Sequence, residues 1–405
     1  MRENIKLRCP AYFKEFRCIG GMCEDNCCGG WDIHIDKTTF EQYKNIQDRR
    51  TNKYINKNVF IRDNCKNINI DYGQIKLKDN KCPFLDKDRY CSIQLKLGEE
   101  YLSSVCATFP RIINKIDDYY EMSLDISCIE AARIILLKRE GIEFEECESV
   151  LGKHAISANI ITDDKTITDT NLKYIKEIRD ISIKIIKNRK FELSERLYML
   201  GSFLEIIRKE LCYDYNNVIQ FISGYKIDSF GGEFKRNKIN YMLQLSFFRD
   251  MLEKLDIFKD NYSDYFKERM KENILRFRFN ENESLMENSE VFLKAYDICE
   301  ENIFKNYSYI FENYLINHMF KELFPFSESD IVINDYIMML IRFSYIRFYI
   351  VGQYLYKGTI LIDDIIRFIQ SLSKEIEHDK SYLNDILQYV KENELDNRRF
   401  AMILL

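Results

Sequence analysis

The chain has 405 residues, a net charge of −5 and a hydrophobic content of 46%, which predicts about two domains with sizeable cores. A nucleic-acid-binding protein usually carries a strong basic excess, so we expect no nucleic-acid partner. No apolar run is long enough to span a bilayer and no secretory leader is visible, so the sequence predicts a cytoplasmic protein without a membrane partner. Thiols stay reduced in the cytoplasm, and the cysteines are therefore not expected to form a disulfide framework.

The first part of the chain, residues 1–140, combines short strand and helix signals with most of the cysteines. Apolar and polar residues alternate over Trp31–Ile35, which predicts a half-buried strand, and Asp36 is placed to cap a following helix. The segment Cys82–Ile93 predicts a hairpin that turns at Asp86–Asp88. Further along, the sequence predicts a helix, an extended segment and a second helix, over Leu97–Cys106, Tyr119–Asp125 and Glu130–Glu140.

The remainder, residues 141–405, has the pattern of a helical domain. Apolar residues recur at helical spacing over Leu172–Ile185 and Leu197–Leu211, and Asp335–Tyr356 is long and apolar enough for a buried helix. Proline is nearly absent from this part. We therefore predict an α+β, predominantly helical fold class, in which a small cysteine-rich metal-binding α+β module is joined to an all-helical domain.

Eight of the thirteen cysteines fall into a pattern that is typical of metal ligands. A metal site brings several soft ligands to one centre, so its ligands recur in short groups, and neighbouring glycines let the backbone turn tightly. The candidate metal ligands are Cys18, Cys23, Cys27, Cys28, Cys82, Cys91, Cys106 and Cys128. The glycines beside them are Gly20, Gly21, Gly29 and Gly30. The cysteines without a spacing partner, which are predicted to be inert thiols, are Cys9, Cys65, Cys147, Cys212 and Cys299.

The identity of the metal stays open at this point, because all-cysteine ligation suits both zinc and an iron–sulfur cluster. Eight candidates exceed the four thiolates of one site, so either two sites exist or about half of the set supports the ligands. The adjacent pair Cys27 and Cys28 cannot both bind one zinc ion without strain, which favours a cluster.

Three stretches of the sequence resemble the flagellin lysine-N-methylase family. Two are CIGGMCEDNCCGGWDIHID, from Cys18 to Asp36, and CPFLDKDRYCSIQLKLGEEYLSSVCATFPR, from Cys82 to Arg111. The third, ENYLINHMFKELFPF, lies in the helical part over Glu312–Phe326. The cysteine region is also similar to a broader family of zinc- or iron-chelating cysteine clusters.

The resemblance implies a methyltransferase that moves methyl groups from S-adenosylmethionine to lysine ε-amines of flagellin, which would be the protein substrate. It also implies an iron–sulfur cluster, of the 4Fe-4S type, with zinc as the alternative. The C-x3-C-x2-C signature of radical S-adenosylmethionine enzymes is not met, because Cys28 follows Cys27 directly, and we expect a polar displacement. No motif locates the methyl-donor site or the catalytic residues.

A neutral lysine amine is favoured by an aromatic channel of low polarity, which would also attract a sulfonium ion. The aromatic candidates for such a channel are Tyr314, Tyr336, Tyr345 and Tyr349. Ordinary packing in a helical core is the alternative for each of them. His318 is a candidate proton acceptor, and a core histidine is the alternative.

Two other classes of function remain as alternatives to the methyltransferase. One is an iron–sulfur redox or electron-transfer module, and the other is a zinc-stabilised adaptor without catalysis. Asp32, His34 and Asp36 share one face of the predicted strand and could bind a metal. The simpler interpretation is a solvated face followed by a helix cap.

Overall fold

The structure is a computed structural model, and it describes residues 4–29, 31–79, 81–150, 155–164, 171–213, 215–235, 239–254, 262–277 and 285–405. The chain divides into two compact units. The first contains Met1–Ile134 and Glu143–Ile160, and the second contains Ile135–Ile142 and Ile161–Leu405. The predicted mixed α+β, mostly helical fold class is confirmed.

The described strands all lie in the first unit. They are β1 (Asn4–Pro10), β2 (His34–Ile35), β3 (Val59–Ile61), β4 (Gly73–Ile75), β5 (Arg111–Ile116), β6 (Tyr119–Leu124), β7 (Phe144–Val150) and β8 (Ala158–Ile160). They form a five-stranded sheet in the order β7-β1-β6-β5-β8 and a three-stranded antiparallel sheet in the order β2-β4-β3. The extended segment predicted near Tyr119 is confirmed as β6.

The larger sheet mixes parallel and antiparallel neighbours. Strand β1 runs parallel to β6, with Lys6 opposite Tyr119, and antiparallel to β7, with Cys9 opposite Glu145. Strand β5 is antiparallel to β6 and parallel to β8. Because β7 and β8 follow residue 140 in the sequence, the first unit extends beyond the segment that the cysteine pattern marked.

Short helices complete the first unit, and one glycine explains why a predicted helix is divided. The helices are α1 (Lys37–Lys44), α2 (Arg49–Asn58), α3 (Ser92–Leu97), α4 (Ser104–Thr108) and α5 (Ile129–Leu136), which continues into the second unit. The single helix predicted over Leu97–Cys106 is wrong. Gly98 has a φ of +101°, which ends α3, and α4 begins only after Ser103 caps it.

The predicted hairpin at Cys82–Ile93 is a tight loop without regular strands. One isolated antiparallel bridge joins Leu85 and Cys91. The Asp86 carboxylate accepts hydrogen bonds from the amides of Asp88 and Tyr90, both at 2.9 Å. The Asp86 carboxylate thus accepts from amides that would donate to backbone carbonyls in a regular hairpin.

The second unit is built from helices in its described residues. They are α6 (Ile175–Ile186), α7 (Leu193–Tyr213), α8 (Tyr215–Gly224), α9 (Ile239–Lys254), α10 (Asp264–Arg276), α11 (Leu285–Cys299), α12 (Ser308–Lys321), α13 (Val332–Lys357), α14 (Ile362–Leu372), α15 (Lys380–Glu392) and α16 (Arg398–Leu404). Single π-helical turns occupy Glu300–Phe304 and Ser373–Glu377. Within the described ranges, no helix combines the length and apolar character needed to cross a bilayer.

Helix α13 is the centre of this unit, and the predicted buried helix over Asp335–Tyr356 is confirmed. Every residue from Val332 to Gln353 is buried, including the charged Arg342 and Arg347. The helix ends at Gly358, whose φ of +74° is the left-handed conformation that favours glycine after a helix.

We predict that Asp36→Ala lowers the free energy of unfolding of the first unit by about 2–4 kcal/mol. The Asp36 carboxylate accepts from the Thr39 amide at 2.9 Å and the Thr39 hydroxyl at 2.8 Å, which caps α1. It also accepts from the Ser104 amide at 2.8 Å, which ties α1 to α4. The change would leave buried donors without an acceptor. Urea unfolding followed by fluorescence measures it, since Trp31 is the one tryptophan and lies in this unit.

The matched control is Asp48→Ala, because Asp48 caps α2 on an exposed surface. It accepts from the Thr51 amide at 2.8 Å, and at this exposed site water can replace the carboxylate. We expect a smaller loss of stability from this variant. Equal losses in the two variants would contradict the role of Asp36 as a link between two helices.

Candidate metal centre

A cavity of about 300 Å³ in the first unit is lined by all eight of the predicted cysteine ligands. They come from a loop after the 3-10 turn Ala11–Glu15, from the loop that replaces the hairpin, from α4 and from the residue before α5. The cysteines at the cavity are Cys18, Cys23, Cys27, Cys28, Cys82, Cys91, Cys106 and Cys128. The fold thus brings soft donors from distant parts of the chain around one space.

Two glycines allow the first cysteine loop to approach the second. Gly20 has a φ of +55°, and a Cβ there would lie 2.7 Å from the Tyr90 ring. A Cβ on Gly21 would lie 2.4 Å from the Asp88 carbonyl oxygen. The sequence predicted that these glycines wrap a metal, whereas in the structure they make room for the other loop.

Backbone contacts fix the double cysteine against the second loop. The Cys82 amide donates to the Cys28 carbonyl at 2.8 Å, and an isolated antiparallel bridge joins Gly29 to Lys81. Gly30, the remaining glycine of the prediction, lies outside the described residues. These contacts hold the two loops in one register, so the positions of their thiols depend on each other.

The thiols influence one another electrostatically, and one group of four is evident. The pKa of Cys82 is raised to about 12. Burial is the largest cause, and the neighbouring sulfurs of Cys106, Cys91 and Cys27 contribute to the same rise. Cys106 is exposed to the cavity, yet enclosure by protein raises its pKa to about 11, with Cys91 and Cys27 adding to the effect. A negative charge on Cys27 or Cys91 therefore disfavours ionisation of Cys82 and Cys106.

A second group shares one member with the first. Burial raises the pKa of Cys128 to about 12, and Cys27 and Cys23 contribute. Burial also raises the pKa of Cys23, whose Sγ lies 3.2 Å from the Asp25 carbonyl oxygen, and Cys27 again adds to the rise. Cys27 is therefore the sulfur common to both groups.

The donor set fits a soft metal centre, although no metal geometry is present. Among the described residues, no three or more His, Cys, Asp or Glu side chains are arranged to hold an ion. The chemistry of the set is nevertheless that of a thiolate site, because a bound cation reverses the mutual repulsion and deprotonates its thiols outright. Cys27, Cys91 and Cys106 are the three sulfurs that raise the pKa of Cys82, which makes these four cysteines the candidate ligands.

Arg111 is a cavity residue that the sequence analysis did not identify as functional. It lines the cavity, and its guanidinium lies 5.3 Å from the centre of the Phe16 ring. Burial lowers the pKa of Arg111, while Glu99 and Cys18 oppose this shift. Arg111 is the last residue of the Cys82–Arg111 stretch that resembles the methylase family. That position is the sequence signal that could have identified it.

Trp31 contacts two residues that line the cavity. Its indole nitrogen donates to the Cys27 carbonyl at 2.9 Å, and its ring meets Phe109 edge-on at 5.0 Å. Because Phe109 and Cys27 both line the cavity, the fluorescence of Trp31 reports on the site itself.

The other predicted metal face is not assembled. Asp36 is the cap of α1, as the simpler interpretation predicted, and Asp32 accepts from the Gln74 amide at 2.6 Å. Burial lowers the pKa of His34, the residue between them. These contacts occupy the two carboxylates with structural hydrogen bonds.

The cysteines without spacing partners lie away from the cavity wherever their side chains are described. Cys9 and Cys147 are on β1 and β7, Cys65 lies 3.5 Å from Asp71, and Cys299 is buried at the end of α11. The side chain of Cys212 lies outside the described residues.

The aromatic candidates of the helical unit lie in its packed core. The Tyr336 hydroxyl donates to the Leu197 carbonyl at 2.8 Å, Tyr345 contacts the sulfur of a buried methionine, and Tyr349 stacks on Phe368. All are nearly inaccessible to solvent. This is the core packing that the sequence analysis weighed against a channel.

Tyr314 and His318 lie together with a buried carboxylate on one side of α12. The Tyr314 hydroxyl donates to Glu377 at 2.5 Å, within the second π-helical turn. Burial lowers the pKa of His318, and the nearby Arg342 lowers it further, so the imidazole is neutral at physiological pH. A neutral imidazole can accept a proton, but this one is enclosed by the helix core.

Comparison with known proteins identifies one family of similar proteins. A family model described as the FliB lysine N-methylase C-terminal domain matches residues 179–404. The flagellar biosynthetic protein FliU of Salmonella muenchen is 34% identical over 156 residues, which are 38% of this chain and 90% of that protein. Lysine-N-methylases of Salmonella typhimurium and Salmonella choleraesuis are each 33% identical over 146 residues. No solved structure matches.

The last two matches are partial. They cover 36% of this chain and 36% of each lysine-N-methylase, so the shared region is about a third of those proteins.

We predict that Cys27→Ser lowers the metal bound per protein by about half or more, because Cys27 belongs to both groups of coupled thiols. Cys18→Ser should lower the metal content less, because Cys18 belongs to neither of the two groups of thiols. Plasma mass spectrometry of protein purified without oxygen measures iron and zinc together.

The matched controls are Cys147→Ser, at an exposed site on β7, and Cys299→Ser, at a buried site in the second unit. Both should retain the metal content of the unmodified chain. The same metal content in all four variants would contradict the assignment of the cavity as the metal centre.

Proposed function

Because the chain belongs to the FliB lysine N-methylase family, we propose that it transfers methyl groups from S-adenosylmethionine to lysine ε-amines of flagellin. The observation that carries the proposal is the match of residues 179–404 to the lysine N-methylase domain, which is more than half of the chain. The names of the Salmonella relatives, one flagellar and two of lysine-N-methylases, support the substrate. The proposed location is the cytoplasm, where thiols stay reduced.

We also propose that the cysteine cavity holds an iron–sulfur cluster of the 4Fe-4S type, with zinc as the alternative. Cys27, Cys82, Cys91 and Cys106 would be its thiolate ligands, and Cys23, Cys28 and Cys128 would surround them. When bound, the metal centre supplies cross-links between loops that otherwise have few regular hydrogen bonds. Tying those loops together is the role we assign to it.

The proposed reaction is a polar displacement. The lone pair of the neutral lysine nitrogen forms a bond to the methyl carbon while the carbon–sulfur bond of the sulfonium breaks. S-adenosylhomocysteine leaves with that electron pair, and the new ammonium then loses a proton to solvent or a base. The protein must therefore favour the neutral amine, exclude water and align nitrogen, carbon and sulfur.

The alternative function is an iron–sulfur redox module, and the observation that supports it is the thiol cavity. A cluster whose role is electron transfer would be reduced reversibly and would need no methyl donor. A zinc-stabilised adaptor would instead contain zinc without labile sulfide. Iron and sulfide content separates the adaptor from the other two, and donor-dependent methylation separates the methyltransferase from the redox module.

We predict that flagellin gains mass in steps of one methyl group after incubation with the protein and S-adenosylmethionine without oxygen. Intact-mass spectrometry measures the steps, and peptide mapping assigns them to lysines. S-adenosylhomocysteine in place of the donor is the control and should give no change. If flagellin from the same organism stays unmodified while the metal centre is intact, the methyltransferase proposal is overturned.

A further inference from the structure

A second cavity, of about 290 Å³, lies inside the helical unit. The segment between α6 and α7 forms one side of it, and the first π-helical turn, the start of α12 and the middle of α13 form the rest. Its volume is near the lower end of the range of about 300–1,000 Å³ that is typical of small-molecule sites. All of its lining residues fall within the stretch that matches the lysine N-methylase domain.

One wall carries two guanidinium groups that share a single carboxylate. Glu312 is 2% exposed and accepts from Arg189 Nη2 at 2.8 Å and from Arg196 Nη1 at 2.6 Å. Two positive charges therefore face one negative charge at this wall. The Nε of the buried Arg196 has no hydrogen-bond partner among the described residues. Such a donor needs an acceptor from a water molecule, an ion or a ligand.

Another part of the lining holds a guanidinium between aromatic rings. The Arg347 guanidinium carbon lies 5.0 Å from the centre of the Phe304 ring and 5.1 Å from that of Phe343. Its Nη2 donates to Glu300 at 3.0 Å. Glu300 and Phe304 are the two ends of the π-helical turn, and such turns are frequent at functional sites.

The charges of the cavity nearly cancel, which distinguishes it from a site for phosphate. Lys305 and the exposed Glu192 complete the charged part of the lining, so four cationic and two anionic side chains line the cavity. Glu312 behind the wall and Glu301, which pairs with Lys305 at 2.6 Å, balance the remaining charges. A site that offers separated charges of both signs suits a zwitterion better than a simple anion.

We propose that this second cavity is the binding site for S-adenosylmethionine. The carboxylate of the donor would meet the guanidinium groups of Arg189 and Arg196, which line the cavity. Its ammonium and ribose hydroxyls would meet Glu192 and Glu300. The phenylalanine faces suit both the flat purine and the sulfonium, because aromatic rings attract positive charge. The inference rests on the proposed methyltransferase function and locates the donor site that no motif reveals.

The test is calorimetric titration of S-adenosylmethionine into the full chain with its metal centre intact. Ser308→Trp places an indole in the cavity without removing an ion pair, and we expect it to raise the Kd about tenfold or more. Glu192→Gln removes one carboxylate from the exposed rim and should raise the Kd roughly threefold to tenfold. The matched control is Ser223→Trp, at an exposed position on α8 that does not line this cavity, and it should bind as the unmodified chain does.

The outcomes of this titration distinguish failure of the proposed donor site from failure of the proposed methyltransferase function. Binding by the unmodified chain that Ser308→Trp and Glu192→Gln both weaken, with Tm unchanged in the latter, supports the site. Binding that neither variant weakens overturns the site and leaves the methyltransferase proposal standing, with the cysteine cavity as the next location to test. Binding that inorganic phosphate displaces fully at equal concentration also overturns it. Flagellin methylation without measurable donor binding at this cavity overturns the site alone, whereas the absence of both overturns site and function.

Discussion

The convergence of eight thiols on one cavity is the constraint on which the first unit depends. Its strands are short, and the loops that carry Cys27 and Cys82 are held by few regular hydrogen bonds. Burial, together with repulsion from neighbouring sulfurs, raises the pKa of Cys82 and of Cys106. A cation at the cavity would convert the same repulsion into attraction, so folding of the loops and metal binding would be coupled. This is the physical reason to treat the proposed cluster as part of the architecture.

The helical unit has a different constraint, because its central helix α13 buries charged side chains. A buried charge is tolerated only when it is paired, and breaking such a pair costs about 3–5 kcal/mol. Arg347 pairs with Glu300, Arg342 pairs with Glu328, and Arg196 pairs with Glu312. The pairs of Arg347 and Arg196 join elements that are distant in the sequence, whereas Glu328 lies in the segment just before α13. They also leave polar groups directed into a cavity, which a core of purely apolar residues could not do.

Local patterns in the sequence predicted the parts of the fold that depend on local physics. Helical periodicity identified α7 and α13, the cap at Asp36 was predicted, and the spacing of the cysteines selected the eight that share a cavity. Long-range pairing was not predictable in this way. Nothing local to β7 indicates that it pairs with β1, and nothing near Arg189 indicates that Glu312 is its partner. Gly98 could have been read as a helix end, since it interrupts the pattern.

The two cavities differ in the chemistry of their lining residues, and this difference favours different roles for the two units. The segment that matches the lysine N-methylase domain, residues 179–404, contains every lining residue of the second cavity and none of the eight clustered cysteines. A methyl donor needs complementary charges and aromatic faces, which the second cavity offers, whereas thiols need a metal. Displacement at a sulfonium requires no electron from a cluster, since the leaving sulfur takes the bonding pair. The chemistry of each cavity thus favours donor binding in the helical unit and a supporting role for the metal centre.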